Sequence, residues 1–210
     1  MFGVSIWAKM YRLDIIREHN IWFPEDMNYE EDCLFNLEYF RHARCVGYQG
    51  IIGYTYRQNA SSLSKGYRSH ALASQLIAYG KRKEFVSEMG LEDQAEKLDA
   101  VMLVVFFTEL NKIAASDLVP AEKIGAYQRF VDLAEVQRIF AESDKSLQYR
   151  FGRKVRKTIL EKNSGKLYRL YKRKGLRGRI IGFLKDKAKK WLPEPILKIA
   201  KIPWKILKKL

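Results

Sequence analysis

The chain has 210 residues, is 47% hydrophobic and 13% aromatic, and carries a formal net charge of +15. That length allows one domain, or one domain with an appendage, at roughly 150 residues per domain, and the composition excludes a disordered chain. The charge is uneven: residues 151–210 hold 21 of the 39 Lys/Arg and 3 of the 24 Asp/Glu, leaving the tail near +18 and the first 150 residues near −3.

The opening Met1–Trp7 has no polar lead-in and no cap. It reads as a strand end from a larger sheet, hence a truncation. Arg12–Asn20 predicts a short helix with Leu13, Ile16 and also Ile15 facing inward. Ile21–Pro24 reads as extended, because Pro24 disfavours helix at Phe23. A second helix starts at Glu31, with Leu34, Phe35, Leu37 and Phe40 at helical spacing and an acidic first turn. Trp7, Trp22, Phe23 and Phe35 are expected in the core. Val46–Tyr48 and Ile51–Arg57 read as short strands among Gly47, Gly50 and Gly53.

Beyond Ser64 the pattern is helical: Tyr67–Met89, closed by Gly90; Glu92–Ala115, with a buried centre at Val101–Phe107; and Pro120–Ser143, opened by Pro120. Residues 144–165 are mixed and 166–210 are basic. The apolar run Val101–Phe107 falls far short of the ~20 residues a membrane-spanning helix needs, and the N-terminus lacks the pattern of a secretory signal. Cys33 and Cys45 sit in no metal-ligand spacing, and His19, His42 and His70 are scattered. No metal site is expected, and a reduced, cytosolic setting is the simplest reading.

The densest group of unusual features lies in residues 5–64. Ser5-Ile6-Trp7-Ala8-Lys9-Met10-Tyr11-Arg12 leads to Asn20-Ile21-Trp22-Phe23-Pro24-Glu25. Then come Asn28-Tyr29-Glu30-Glu31-Asp32-Cys33-Leu34-Phe35 and Tyr54-Thr55-Tyr56-Arg57, followed by Ser61-Ser62-Leu63-Ser64. In order and spacing these segments resemble the acceptor-side end of family-two glycosyltransferases of the GT-A fold.

The resemblance implies an α+β fold, predominantly helical. A remnant of the GT-A α/β catalytic domain would fill residues 1–66, a helical region 67–145, and a basic amphipathic, membrane-associating tail 146–210. It implies inverting transfer of a sugar from a nucleotide-sugar to a glycan acceptor, in surface polysaccharide synthesis. Such transfer needs a base for the acceptor hydroxyl, and a carboxylate in a partly desolvated cleft suits that task. By the resemblance Asp32 is the base and Glu31 orients the acceptor. Lys9 faces the donor diphosphate, and Tyr56 and Arg57 bind substrate at the edge of the site. The plainer reading of Glu31-Asp32 is a solvated first turn matched to the helix dipole. Lys9 reads equally well as surface charge, and Arg57 as structural.

The family's donor-binding half and its D-x-D motif are absent from these residues. A divalent cation, Mn²⁺ or Mg²⁺, is therefore expected only with that half, and this chain alone holds no cofactor. The expected function is that of a partial glycosyltransferase, inactive by itself. The rival is a non-catalytic membrane-surface or scaffold protein that retains a degenerate remnant.

Ile196–Leu210, drawn as a helix at about 100° per residue, groups Lys198, Lys201, Lys205, Lys208 and Lys209 within an arc of about 100°. A wide apolar face with Trp204 fills the remainder, and Pro203 should kink or divide the helix. An amphipathic, lysine-striped segment with Trp fits an anionic membrane surface on the cytosolic side. Packing on the body or on a second subunit is the alternative. Nucleic acid is disfavoured, because no binding module accompanies the charge.

Overall fold

The computed structural model describes residues 5–47, 54–55, 66–92, 95–143 and 150–172. Among them are eight helices: α1 Leu13–Glu18, α2 Glu31–His42, α3 Ala71–Glu88, α4 Ala95–Ala115, α5 Pro120–Asp132, α6 Ala134–Glu142, α7 Arg150–Leu160 and α8 Ser164–Lys172. No strand occurs among the described residues. The expected α+β remnant with short strands is thereby overturned, while the expected helical part agrees. Val46, Gly47, Tyr54 and Thr55 lie outside any regular element and are exposed. Two short strands alone make at best a marginal sheet in water. The other positions of those two segments lie outside the described residues.

The chain divides into two compact units. Met1–Met102 with Ala115–Asp117 forms the first, and Leu103–Ala114 with Leu118–Leu210 the second. In the first unit α1 and α3 both contact α2. Its small core centres on buried Ile21, Phe35 and Tyr39, with Ile6, Tyr11, Ile15, Ile16, Phe40 and Ala43 packed against them. The inward face of α1 is therefore Ile15 and Ile16; Leu13 is exposed. Phe35 is buried as expected, but Trp7, Trp22 and Phe23 are exposed. One apolar helix face offers too little surface to cover every aromatic residue in the segment. Phe23 stacks on Phe35 at 4.4 Å and keeps its other face in solvent.

Helix α3 ends in a Schellman motif: Leu91 N–H donates to Val86 C=O at 2.9 Å and Gly90 N–H to Ser87 C=O at 3.1 Å. Gly90 takes φ +62°, the left-handed conformation this cap requires.

In the second unit α5 packs against α6 and α8, and α7 against α6 and α8. Phe106 meets Phe130 edge-on at 5.6 Å and stacks on Phe140 at 5.9 Å. The expected single helix over 120–143 is broken at Leu133, whose backbone is extended (φ −66°, ψ 125°). The break frees the Val131 carbonyl, and the Gln137 amide donates to it at 2.6 Å and to Ile159 C=O at 2.8 Å. The start of the basic region is a packed helix, for Leu167 and Tyr171 of α8 are buried. No described helix is long and apolar enough to cross a membrane.

Candidate functional site

Three polar residues of α2, Asp32, Asn36 and Tyr39, recur at i, i+4 and i+7 and so share one helix face. Each takes hydrogen bonds from the segment Ser5–Arg12. Ile6 N–H donates to Asp32 Oδ2 at 3.3 Å, Tyr11 O–H to Asn36 Oδ1 at 2.6 Å, and Arg12 N–H to Tyr39 Oη at 2.9 Å. The Asn36 amide donates back to Ser5 C=O at 3.3 Å. Buried Asn36 thus meets partners through both ends of its amide. The segment is docked along α2 by the backbone groups of Ser5, Ile6 and Arg12 and by the Tyr11 hydroxyl, each meeting a side chain of the helix.

This docking brings Asp32 and Lys9 into one electrostatic neighbourhood. Burial pulls the Lys9 ammonium below its ordinary range, and the Asp32 carboxylate opposes that pull. Lys9 also donates to the Ser5 carbonyl. The Tyr11 hydroxyl is pushed up to about 12, first by burial, then by Asp32 and Tyr39. Asp32 and Glu31 are both half-buried in the first turn of α2. One hydrogen bond from Ile6 uses a single acceptor position of the Asp32 carboxylate, which offers about four.

Two non-glycine residues in this site have left-handed backbones: Ala8, between Trp7 and Lys9, at φ 58°, and Glu30, which precedes α2, at φ 66°. Left-handed non-glycine backbone costs about 1–2 kcal/mol. Glu30 also forms an ion pair with Arg82 of α3, in which both side chains are mostly buried. A second pair, Arg41 with Glu88 at 2.7 Å, also joins α2 to α3.

Of the expected site residues, the fold brings Lys9, Glu31 and Asp32 into one region. Tyr56 and Arg57 lie outside the described residues, as do Lys198, Lys201, Trp204, Lys205 and Lys208. No three His, Cys, Asp or Glu side chains converge on a metal-sized site among the described residues. Sequence reasoning missed Asn36, Tyr39 and Arg82. The i, i+4, i+7 spacing of Asp32, Asn36 and Tyr39 was the available signal; nothing local marks Arg82, 52 positions from Glu30.

Comparison with known proteins relates this chain to glycosyltransferases. It is 30% identical over 101 residues to "Putative glycosyltransferase EpsH" of Bacillus subtilis (strain 168), covering 47% of this chain and 29% of that protein. It is 37% identical over 60 residues to "Uncharacterized glycosyltransferase EpsJ" of the same organism, covering 29% of this chain and 17% of that protein. The chain thus spans less than a third of the length of either relative. No family model matches, and no solved structure matches.

Proposed function

We propose that this chain supplies the acceptor side of a family-two glycosyltransferase, with Asp32 as the base that takes the proton from an attacking acceptor hydroxyl. The observation that carries this reading is the docking of Ser5–Arg12 on α2. It unites the Trp-x-Lys segment with the Glu-Asp segment, 26 residues apart, through the Ile6–Asp32 hydrogen bond. The two relatives support the same class. Glu31 orients the acceptor. Lys9 supplies positive charge toward a donor diphosphate, and Tyr56 and Arg57 bind substrate at the edge. The nucleotide-sugar and its divalent cation are held by a donor-binding half outside these residues, so the chain alone transfers no sugar. Its basic tail, through Lys198, Lys201, Trp204, Lys205 and Lys208, holds it on the inner, anionic face of the membrane.

The test has two arms. The isolated chain, given nucleotide-sugars with Mn²⁺ or Mg²⁺, should release no nucleotide above background; robust turnover would overturn its inactivity. A chimaera in which this chain's matching segment replaces that of the EpsH relative should release nucleotide in an acceptor-dependent way. Asp32→Asn should slow that chimaera by about 10²–10⁴-fold, the usual contribution of a general base. Equal rates for the two chimaeras would remove Asp32 from the chemistry.

One observation favours the rival, a non-catalytic scaffold: the Asp32 carboxylate already holds a backbone N–H. On that reading Asp32→Asn lowers the stability of the chain and leaves the rate of a working chimaera unchanged.

A further inference from the structure

Ile6 and Trp7 part company at the docked segment. Ile6 packs on the core of Ile21, Phe35 and Tyr39. Trp7, the next residue, keeps 45% of its surface in solvent. Its ring lies 5.1 Å from that of Tyr54, tilted by 33°, and Tyr54 is 48% exposed. Two large rings thus pair at the surface, where each forfeits much of the stabilisation that burial would give it. The left-handed turn at Ala8 follows Trp7 directly. The indole N–H of Trp22, which is also exposed, donates to Asn20 Oδ1 at 2.6 Å.

We propose that Trp7 and Tyr54 form a stacking platform for a pyranose ring of the glycan acceptor, one residue from the peptide N–H that grips Asp32. This rests on the glycosyl-transfer reading and gives its acceptor a shape. A β-linked gluco- or galacto-configured pyranose turns its C1, C3 and C5 hydrogens to one face. That apolar face lies against aromatic rings, while the hydroxyls at its rim reach polar groups. Lys9, Glu31 and Asp32 supply such groups within the same docked region. A wholly apolar partner would instead strip water from these charges without replacing their hydrogen bonds.

Saturation-transfer NMR on the full 210-residue chain, with lactose and N,N′-diacetylchitobiose as probes, tests the platform. Saturation should reach H1, H3 and H5 more strongly than H2. Trp7→Ala and Tyr54→Ala should each weaken binding about three- to tenfold, the range expected for one aromatic contact. Trp7→Phe should recover part of the loss, and Trp22→Ala should change nothing. Circular dichroism checks that each variant is folded; if Trp7→Ala is not, Trp7→Phe and Tyr54→Ala decide. No saturation in the native chain, or full saturation in folded Trp7→Ala or Tyr54→Ala, overturns the platform. The two readings fail separately. An active chimaera with binding indifferent to Trp7 removes the platform alone. An inactive chimaera beside Trp7-dependent binding removes the transfer reading alone.

Discussion

The Tyr11 hydroxyl gathers three influences at one atom: burial, the Asp32 charge and the neighbouring Tyr39 together push it up from 10.0 to about 12. Between those values the unfolded chain sheds this proton while the folded chain keeps it. The unfolded state is thereby favoured, and the contribution of Tyr11, fully present below pH 10, is lost as pH rises through about 12. Tyr11→Phe has no such proton. The gap in urea midpoint between native and variant chains should be constant below about pH 10 and shrink above it; a gap unchanged through that range contradicts the assignment. The two cysteines give a second check. Burial pushes the Cys33 thiol up; Glu30 and Asp32 add to this, and Arg82 opposes. Cys45 is exposed. Because the thiolate is the reactive form, iodoacetamide should label Cys45 in the folded chain and reach Cys33 only after denaturation. Equal labelling of both under native conditions would place Cys33 at the surface. The sequence marks neither distinction, since burial is set by which helix face meets the docked segment.

Helix ends were more legible than helix partners. Gly90 after α3 and Pro120 at the start of α5 stand where their backbone preferences require, and both boundaries follow from local chemistry. The junction of α7 and α8 shows what local chemistry conceals. There Lys162 takes φ 48°, and Lys162 and Asn163 N–H donate to Ile159 and Thr158 carbonyls at 2.9 and 3.1 Å, the bonds of a Schellman cap without its usual glycine. Asn163 then caps α8, its Oδ1 accepting Lys166 N–H at 2.8 Å. Lys162→Gly should therefore raise stability by about 0.5–1 kcal/mol through relief of left-handed strain. Asn163→Ala should lower it by about 1 kcal/mol, the usual worth of an N-cap. Thermal or urea unfolding reads both, and a loss in Lys162→Gly would mean that strain at this turn is already relieved. The break at Leu133 went unread for a similar reason. The Gln137 amide that satisfies the freed carbonyl also spans to Ile159 of α7, a partner no local window contains. The strands expected near Gly47 and Gly53 rested on strand-type residues set among glycines, a local pattern that supplies no neighbouring strand.

Across the whole chain the charge asymmetry is the feature most legible in sequence, and the described helices give it a physical form. Residues 150–172 carry nine Lys/Arg against one acidic residue, Glu161, and that residue is engaged by Lys157 and Lys166. Within α7 and α8 the basic side chains alternate with buried Val155, Ile159, Leu167 and Tyr171, so much of the charge here lies on the exposed side of packed helices. The lysine stripe at 198–209 lies outside the described residues, and its proposed role rests on spacing. The two make different predictions. If the stripe carries membrane attachment, Lys→Gln at 198, 201, 205 and 208 together should weaken binding to vesicles containing anionic lipid by tenfold or more, since each nearby basic residue contributes about 1 kcal/mol. Binding to neutral vesicles should be weak before and after, and added salt should reduce binding as it screens the surface charge. If α7 and α8 carry the attachment instead, the quadruple variant co-sediments as the native chain does, and replacement of exposed Arg153, Lys154 and Lys157 releases it. Co-sedimentation that ignores anionic lipid and salt alike would assign the stripe's apolar face to protein packing. The strong charge of the tail would then serve solubility and long-range attraction without a docking role.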